Sequence, residues 1–172
     1  IDASHSSVGF AVRHLVIAKV RGVFTRFTGS FAFDPQDLSK SHVTVTIDAS
    51  SIDTREAQRD GHLKSADFFD VEKFKELTFK STRVEGTGTE LKVTGELTMH
   101  GVTKEVTLDV EHEGTGKDPW GNDRQGFSAK GTVNRKDFGL VWNQTLDAGG
   151  VALGERVEIS IDVEGIKDKA AA

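Results

Sequence analysis

The stretch Val157-Glu158-Ile159-Ser160-Ile161-Asp162-Val163 decides how the chain reads. Every second residue is β-branched and apolar, and every residue between is polar. That period of two places one set on each face of a β-strand, whereas a helix would scatter both sets around its circumference. The same alternation recurs from the first residues onward. Its apolar phases run through Val8, Phe10 and Val12, then Phe27, Phe31 and Phe33, then Val43, Val45 and Ile47. They continue through Leu77 and Phe79, Leu91, Val93, Leu97 and Met99, Val106, Leu108 and Val110, and Phe127 and Val133. The opposite phases carry Thr44, Thr46 and Asp48, or Lys92, Thr94 and Glu96, as a face in water requires.

This reading predicts roughly eight strands. Turn signals at Gly86-Thr87-Gly88 and Met99-His100-Gly101 join neighbouring runs as hairpins, so the sheet is mostly antiparallel. Val20 and Phe24 share one phase while Phe27, Gly29, Phe31 and Phe33 share the other, which predicts a β-bulge around Thr25 and Arg26 in one long strand. One segment breaks the pattern: Asp53-Thr54-Arg55-Glu56 has the form of a capping box, with Asp53 as N-cap and Glu56 at the third helical position. The expectation is one helix at about 54–66, lying on the outside or over an opening with Phe68 and Phe69 tucked beneath it. A shorter helical turn is expected over 134–138.

Composition narrows the function. The chain has 172 residues, 36% of them hydrophobic, enough for one domain with a core. The domain is expected over 1–167, and 168–172 read as a tail, with Ala170–Ala172 vector-derived in appearance. No apolar run is long enough for a helix to cross a bilayer, so a soluble protein is expected. A net charge of −5 with interspersed signs offers no footprint for nucleic acid. The absence of cysteine removes disulfides, thiolate metal sites and Cys nucleophiles, and leaves the compartment, periplasm or cytoplasm, open.

An antiparallel sheet with one apolar face buries it in a sandwich or by closing on itself, and meander connectivity favours closure. With this number of strands a barrel is either just filled by its side chains or just wide enough for one ligand. Gly29, Gly95, Ala129, Gly131 and Ser81 all fall on inward phases between large neighbours. Each alone could mark a kink. Together they predict unfilled volume, and so a pocket suited to a long apolar molecule with a small head.

Particular strings carry a resemblance. They are D-x-x-H-S-x-V from Asp2, F-x-V-R-H-L from Phe10, V-R-G-x-F from Val20, and Q-R-D-x-H-L-K-S-A-D-F-F-D from Gln58. G-V-T-x-x-V-T-L from Gly101, D-P-W-G-N from Asp118 and N-R-x-D-F-G-L-x-W-N from Asn134 follow in order. The chain resembles the YceI-like family over nearly its whole length. The resemblance implies an all-β, lipocalin-like antiparallel barrel holding a polyisoprenoid chain in an elongated pore, and, as in several members, a homodimer.

The candidate ligand-binding residues are Phe10, Val12, Phe31, Phe33, Val45, Ile47, Phe79, Leu97, Phe127 and Ala129 as wall, with His14 and Trp142 at an end. His14 continues the phase of Phe10 and Val12, either as a donor to a head group or as a core imidazole bonded to its own backbone. Arg13 falls on the outer phase. Arg135, Asp137 and Trp142 are expected to cluster at one barrel end. Enzyme classes fail on spacing: there is no G-x-S-x-G elbow, no H-E-x-x-H pair, and Gly114-x-Gly116-Lys117 is not a complete phosphate loop. The histidines lack metal-ligand spacing, so no metal and no catalytic residues are expected. The preferred reading is a non-catalytic lipid carrier or store with no cofactor beyond the bound lipid. An enzyme acting on a small lipid or quinone-like substrate is the alternative, and a filled structural barrel the third.

Overall fold

A computed structural model describes residues 1–168; the remainder, including Ala170–Ala172 of the expected tail, lies outside the described residues. The alternating runs form β1 (Ser7–His14), β2 (Ala18–Phe24), β3 (Phe27–Ala32), β4 (His42–Asp48), β5 (Ile52–Asp53) and β6 (Glu76–Thr87). They continue as β7 (Glu90–Met99), β8 (Val102–Lys117), β9 (Asp123–Asn134) and β10 (Leu153–Ile166). All belong to one antiparallel sheet in the order β3-β4-β6-β7-β8-β9-β10-β1-β2-β5. The β7–β8 hairpin turns at His100 and Gly101, both at positive φ, as its tight connection requires.

The bulge expected at Thr25 and Arg26 is instead a corner. There β2, paired with β1, gives way to β3, paired with β4. The opposing chain turns the same corner: β4 ends, a 3₁₀ turn covers Ala49–Ser51, and β5 resumes beside β2. Thr25 N donates to Ser51 O at 3.1 Å and Asp48 N to Arg26 O at 3.0 Å, so hydrogen bonding carries through the bend. The ten strands, two of them continuations, therefore make an eight-sided circuit, closed by the covalent continuity of β2 and β3.

The helix α1 spans Ala57–Lys64, shorter than expected, and its N-cap is Glu56, whose carboxylate accepts from Gln58 N and Arg59 N. Asp53 cannot cap it because it is the last residue of β5, paired with Val23. Its carboxylate accepts from Arg55 N at 2.7 Å, and Arg55 lies at φ 63°, outside helical space. The expected turn near 134–138 is a 3₁₀ turn over Arg135–Phe138, capped by Asn134 and ended by Gly139 in the left-handed region. No helix among the described residues is long and apolar enough to cross a membrane.

Buried core residues gather at the end of the barrel covered by α1, where Phe24, Ile47, Ile52, Phe68, Met99, Phe138 and Leu140 meet. At the opposite end Arg124 ties the N-terminus to the sheet. Its guanidinium donates to Asp2 Oδ2 at 2.9 Å, to Asp118 Oδ2 at 3.0 Å and to Glu164. Asp118 also accepts from Trp120 N and Asn122 N, which explains the D-P-W-G-N string as a turn organised around one carboxylate.

Hydrogen bonds from Ser4, His5 and Arg124 hold Asp2 below the usual carboxylate range. Those from Asn122 and Arg124 do the same for Asp118. A depressed folded-state pKa contributes stability that is present above the ordinary carboxylate value, near pH 4, and is lost as pH falls through the folded one. Arg124→Gln is therefore expected to be less stable than the parent at neutral pH, with the gap closing below about pH 4. Urea unfolding across an acid pH series measures this, and a gap that stays constant into strong acid would contradict it.

Candidate ligand-binding cavity

The strands enclose a cavity of about 480 Å³ whose wall is almost wholly apolar. From Leu153 to Val163 it follows β10 for ten residue steps, roughly 33 Å of strand. It is an elongated space rather than a compact pocket. Exposed residues line both ends, Arg59 and Gln144 at the α1 end and Ala32 and His42 at the other, so it reaches the surface along the barrel.

Every candidate wall residue lines it. Phe10, Val12 and His14 come from β1, Phe31 from β3 and Phe33 from just beyond, Val45 and Ile47 from β4, Phe79 from β6, Leu97 from β7, and Phe127 and Ala129 from β9. Trp142 enters from the segment before β10. Phe33 and Phe127 meet edge to face, with centroids 5.3 Å apart, and both rings pack on His112 at 4.9 Å. This aromatic end lies opposite α1.

The inward glycines act differently from the expectation. They do not leave gaps, because large side chains occupy the space beside them. A Cβ on Gly95 would stand 2.5 Å from the Phe79 ring, one on Gly131 2.5 Å from Leu108, and one on Gly29 2.5 Å from Thr44 O and 2.9 Å from Ile1. The same device occurs at Gly22, where Phe10 would be 2.4 Å away, and at Gly165, where Phe31 would be 2.4 Å away. These glycines let rings lie close along the wall, and the open volume is what remains along the axis.

Polar residues of the lining concentrate at the α1 end, where Thr54, Arg59, His62, Arg135, Gln144 and His14 gather. Arg59 Nε donates to Thr54 Oγ1 at 2.7 Å, and its Nη2 to Thr54 O at 2.8 Å, which fixes the guanidinium over β5. His62 pairs with Asp67 at 2.8 Å and packs edgewise on Trp142 and Phe68, with centroids 4.7 and 5.0 Å apart. This ring cluster closes part of the end. The His14 imidazole is half-buried and makes no hydrogen bond to protein among the described residues.

Arg135 is 4% exposed. Its Nε donates to Gly154 O at 2.8 Å and its Nη1 to Leu140 O at 2.6 Å and Trp142 O at 2.8 Å. Its Nη2 is buried without a partner. Burial pushes the guanidinium pKa down and Glu155 opposes that shift, but an arginine stays charged. The expected cluster is thus corrected in one member. Arg135 holds Trp142 through its carbonyl, whereas Asp137 is exposed on the 3₁₀ turn and takes no part.

Asp2, His5 and Glu164 approach one another closely enough to offer ligands to a metal, a grouping the spacing of the sequence does not show. Arg124 already engages both carboxylates.

The YceI-like domain matches residues 1–165. The chain belongs to the YceI-like family. It is 45% identical over 168 residues to Protein YceI of Salmonella newport, covering 98% of this chain and 85% of that one. The crystal structure of the Campylobacter jejuni YceI protein superposes with a TM-score of 0.79 at 32% identity, covering 98% and 97% of the two chains. A polyisoprenoid binding domain from Saccharophagus degradans shares the fold, with a TM-score of 0.63 at 15% identity over 95% and 94%.

The YceI-like motifs now have structural meanings. F-x-V-R-H-L is the inner wall and rim of β1, and N-R-x-D-F-G-L-x-W-N is the buried arginine with the segment that it clamps. The sequence reading missed Arg59, His62 and Leu63 as lining. Their helix carries few apolar residues, so periodicity alone did not assign it an inner face.

Proposed function

We propose that this YceI-like chain carries or stores a long apolar lipid of the polyisoprenoid class. The chain would lie along the barrel axis and the polar head at the α1 end. The observation that carries this reading is the elongated apolar cavity lined by every candidate residue. Because the cavity reaches the surface at both ends, its 480 Å³ is open either to water or to a ligand. Water gains little from such a wall, since a buried water needs polar partners. A chain of methyl and methylene groups fills it at a gain of about 25 cal/mol per Å² of surface buried. The Saccharophagus relative is itself a polyisoprenoid binding domain, which accords with this ligand class.

Within this reading His14, free of protein hydrogen bonds among the described residues, donates to the head group, and Phe31, Phe33 and Phe127 surround the far end of the tail. The enzyme alternative would rest on the His62–Asp67 pair, in which a lining histidine meets a carboxylate from outside the lining.

Solvent extraction of the purified protein followed by mass spectrometry tests the proposal. A long-chain lipid at about one per barrel is expected. Turnover of an added lipid would favour the enzyme, and neither lipid nor turnover would leave the structural barrel.

A further inference from the structure

The β1–β2 hairpin ends in Leu15, Val16 and Ile17, which are 37%, 74% and 83% exposed. Three consecutive apolar residues at a turn are an expensive way to reverse a chain. Leu15 and Val16 also sit at φ 52° and 64°, the left-handed region that turns normally fill with Gly or Asn, and a β-branched residue there is a genuine outlier. Reversal alone would be easier with polar residues, so this tip has some other use.

Two neighbouring features say what it meets. The first is charge. On the outer face behind the tip, Arg13 stands opposite Lys19, and Arg21 and Arg156 lie nearby, all exposed. The carboxylate among them is Glu158, which Lys19 binds at 2.7 Å and which Arg156 and Arg21 also reach electrostatically. The patch is therefore cationic on a chain whose net charge is −5. The second is position. His14 and Val20 on the same hairpin line the cavity, and Leu15 N donates to Ala152 O, another lining residue, at 2.8 Å. Val151 and Val141, 45% and 61% exposed, extend the apolar surface on the adjoining segment.

We propose that the Leu15-Val16-Ile17 tip inserts into the surface of an anionic lipid bilayer, with Arg13, Lys19, Arg21 and Arg156 against the headgroups, presenting the α1 end of the cavity to the membrane. Apolar side chains at the acyl boundary combined with basic residues at headgroup level constitute the two signals that stable but reversible membrane attachment needs. The docking goes beyond the carrier reading and is tested apart from it.

The full chain is mixed with vesicles of phosphatidylcholine, with and without phosphatidylglycerol, and containing no isoprenoid, so that cargo plays no part in the readout. Binding is expected to the anionic vesicles, to weaken with salt, and to fall about fivefold for Arg21→Gln at low salt. The double variant Val16→Asn with Ile17→Asn is expected to bind at least about tenfold more weakly, because two inserting side chains are lost. It should melt no lower than the parent, since Asn tolerates the left-handed conformation at position 16 and Ile17 is exposed. A parent that ignores anionic vesicles, or a double variant that binds them equally, overturns the proposal. So does a dimer in light scattering that the double variant converts to monomer, which would assign the tip to contact between two copies.

Discussion

Ala129→Phe is expected to leave the barrel folded and to empty it of lipid. Ala129 sits midway along β9, between Val110 of β8 and Ile161 of β10, and its side chain faces the cavity. A ring added there enters open volume, so stability should change by no more than about 2 kcal/mol in either direction. The ligand fares differently. Displacing only about 60 Å² of its apolar contact, at about 25 cal/mol per Å², weakens binding about tenfold, and a ring across the axis obstructs more than that. Thr132→Phe, on the outer face of the same strand, is the control and should retain lipid. Equal lipid content in parent and Ala129→Phe, measured by mass spectrometry, would show that no lipid runs along the axis past β9.

Arg135→Leu is expected to lower stability by about 3–5 kcal/mol, a large share of what a domain of this size possesses. The leucine removes the donors of Gly154, Leu140 and Trp142, and a carbonyl left buried without a partner costs about 1–3 kcal/mol. Arg135→Lys keeps the charge but cannot serve three diverging carbonyls, so it should fall between the two. The clamp ties the 3₁₀ turn to the segment that presents Trp142 to His62 and Phe68. With Trp120, which is 81% exposed, replaced by Phe, the remaining indole fluorescence should shift towards that of a solvated Trp142 in Arg135→Leu. An unfolding free energy from urea titration within about 1 kcal/mol of the parent would show that the guanidinium is not holding this end together.

The two variants separate the wall from the frame. Ala129→Phe acts on the space inside, and Arg135→Leu on the clamp at its end. Loss of lipid in the second without loss in the first would locate the ligand at the α1 end rather than along the axis.

Particular residues show how far the sequence could be read. The strands were legible because period-two alternation survives tertiary folding: Val157, Ile159, Ile161 and Val163 all line the cavity, while Glu158 pairs with Lys19 outside. The wall residues followed from the same phase. The helix was legible in kind but not in its start, because Asp53 is by type the better cap, and only its pairing with Val23 in β5 leaves the capping to Glu56. The corner at Thr25 and Arg26 left the same phase shift in the sequence that a bulge would leave. What distinguishes them is which strands lie alongside.

Residue order alone makes this chain a set of antiparallel strands with one apolar face turned to an interior, since each inward residue is specified by its own strand's alternation. Whether that interior is open depends on how the strands come together. Gly22, Gly95, Gly131 and Gly165 are small wherever the phases place them, but it is strand register and curvature that lay Phe10, Phe79, Leu108 and Phe31 across them. Arg135 is the same case in polar form, because its acceptors lie 5, 7 and 19 residues further along the chain and converge on it only when the barrel end folds back. Alternation is a local property and survives in one dimension, whereas volume and hydrogen-bond closure depend on residues from different strands meeting.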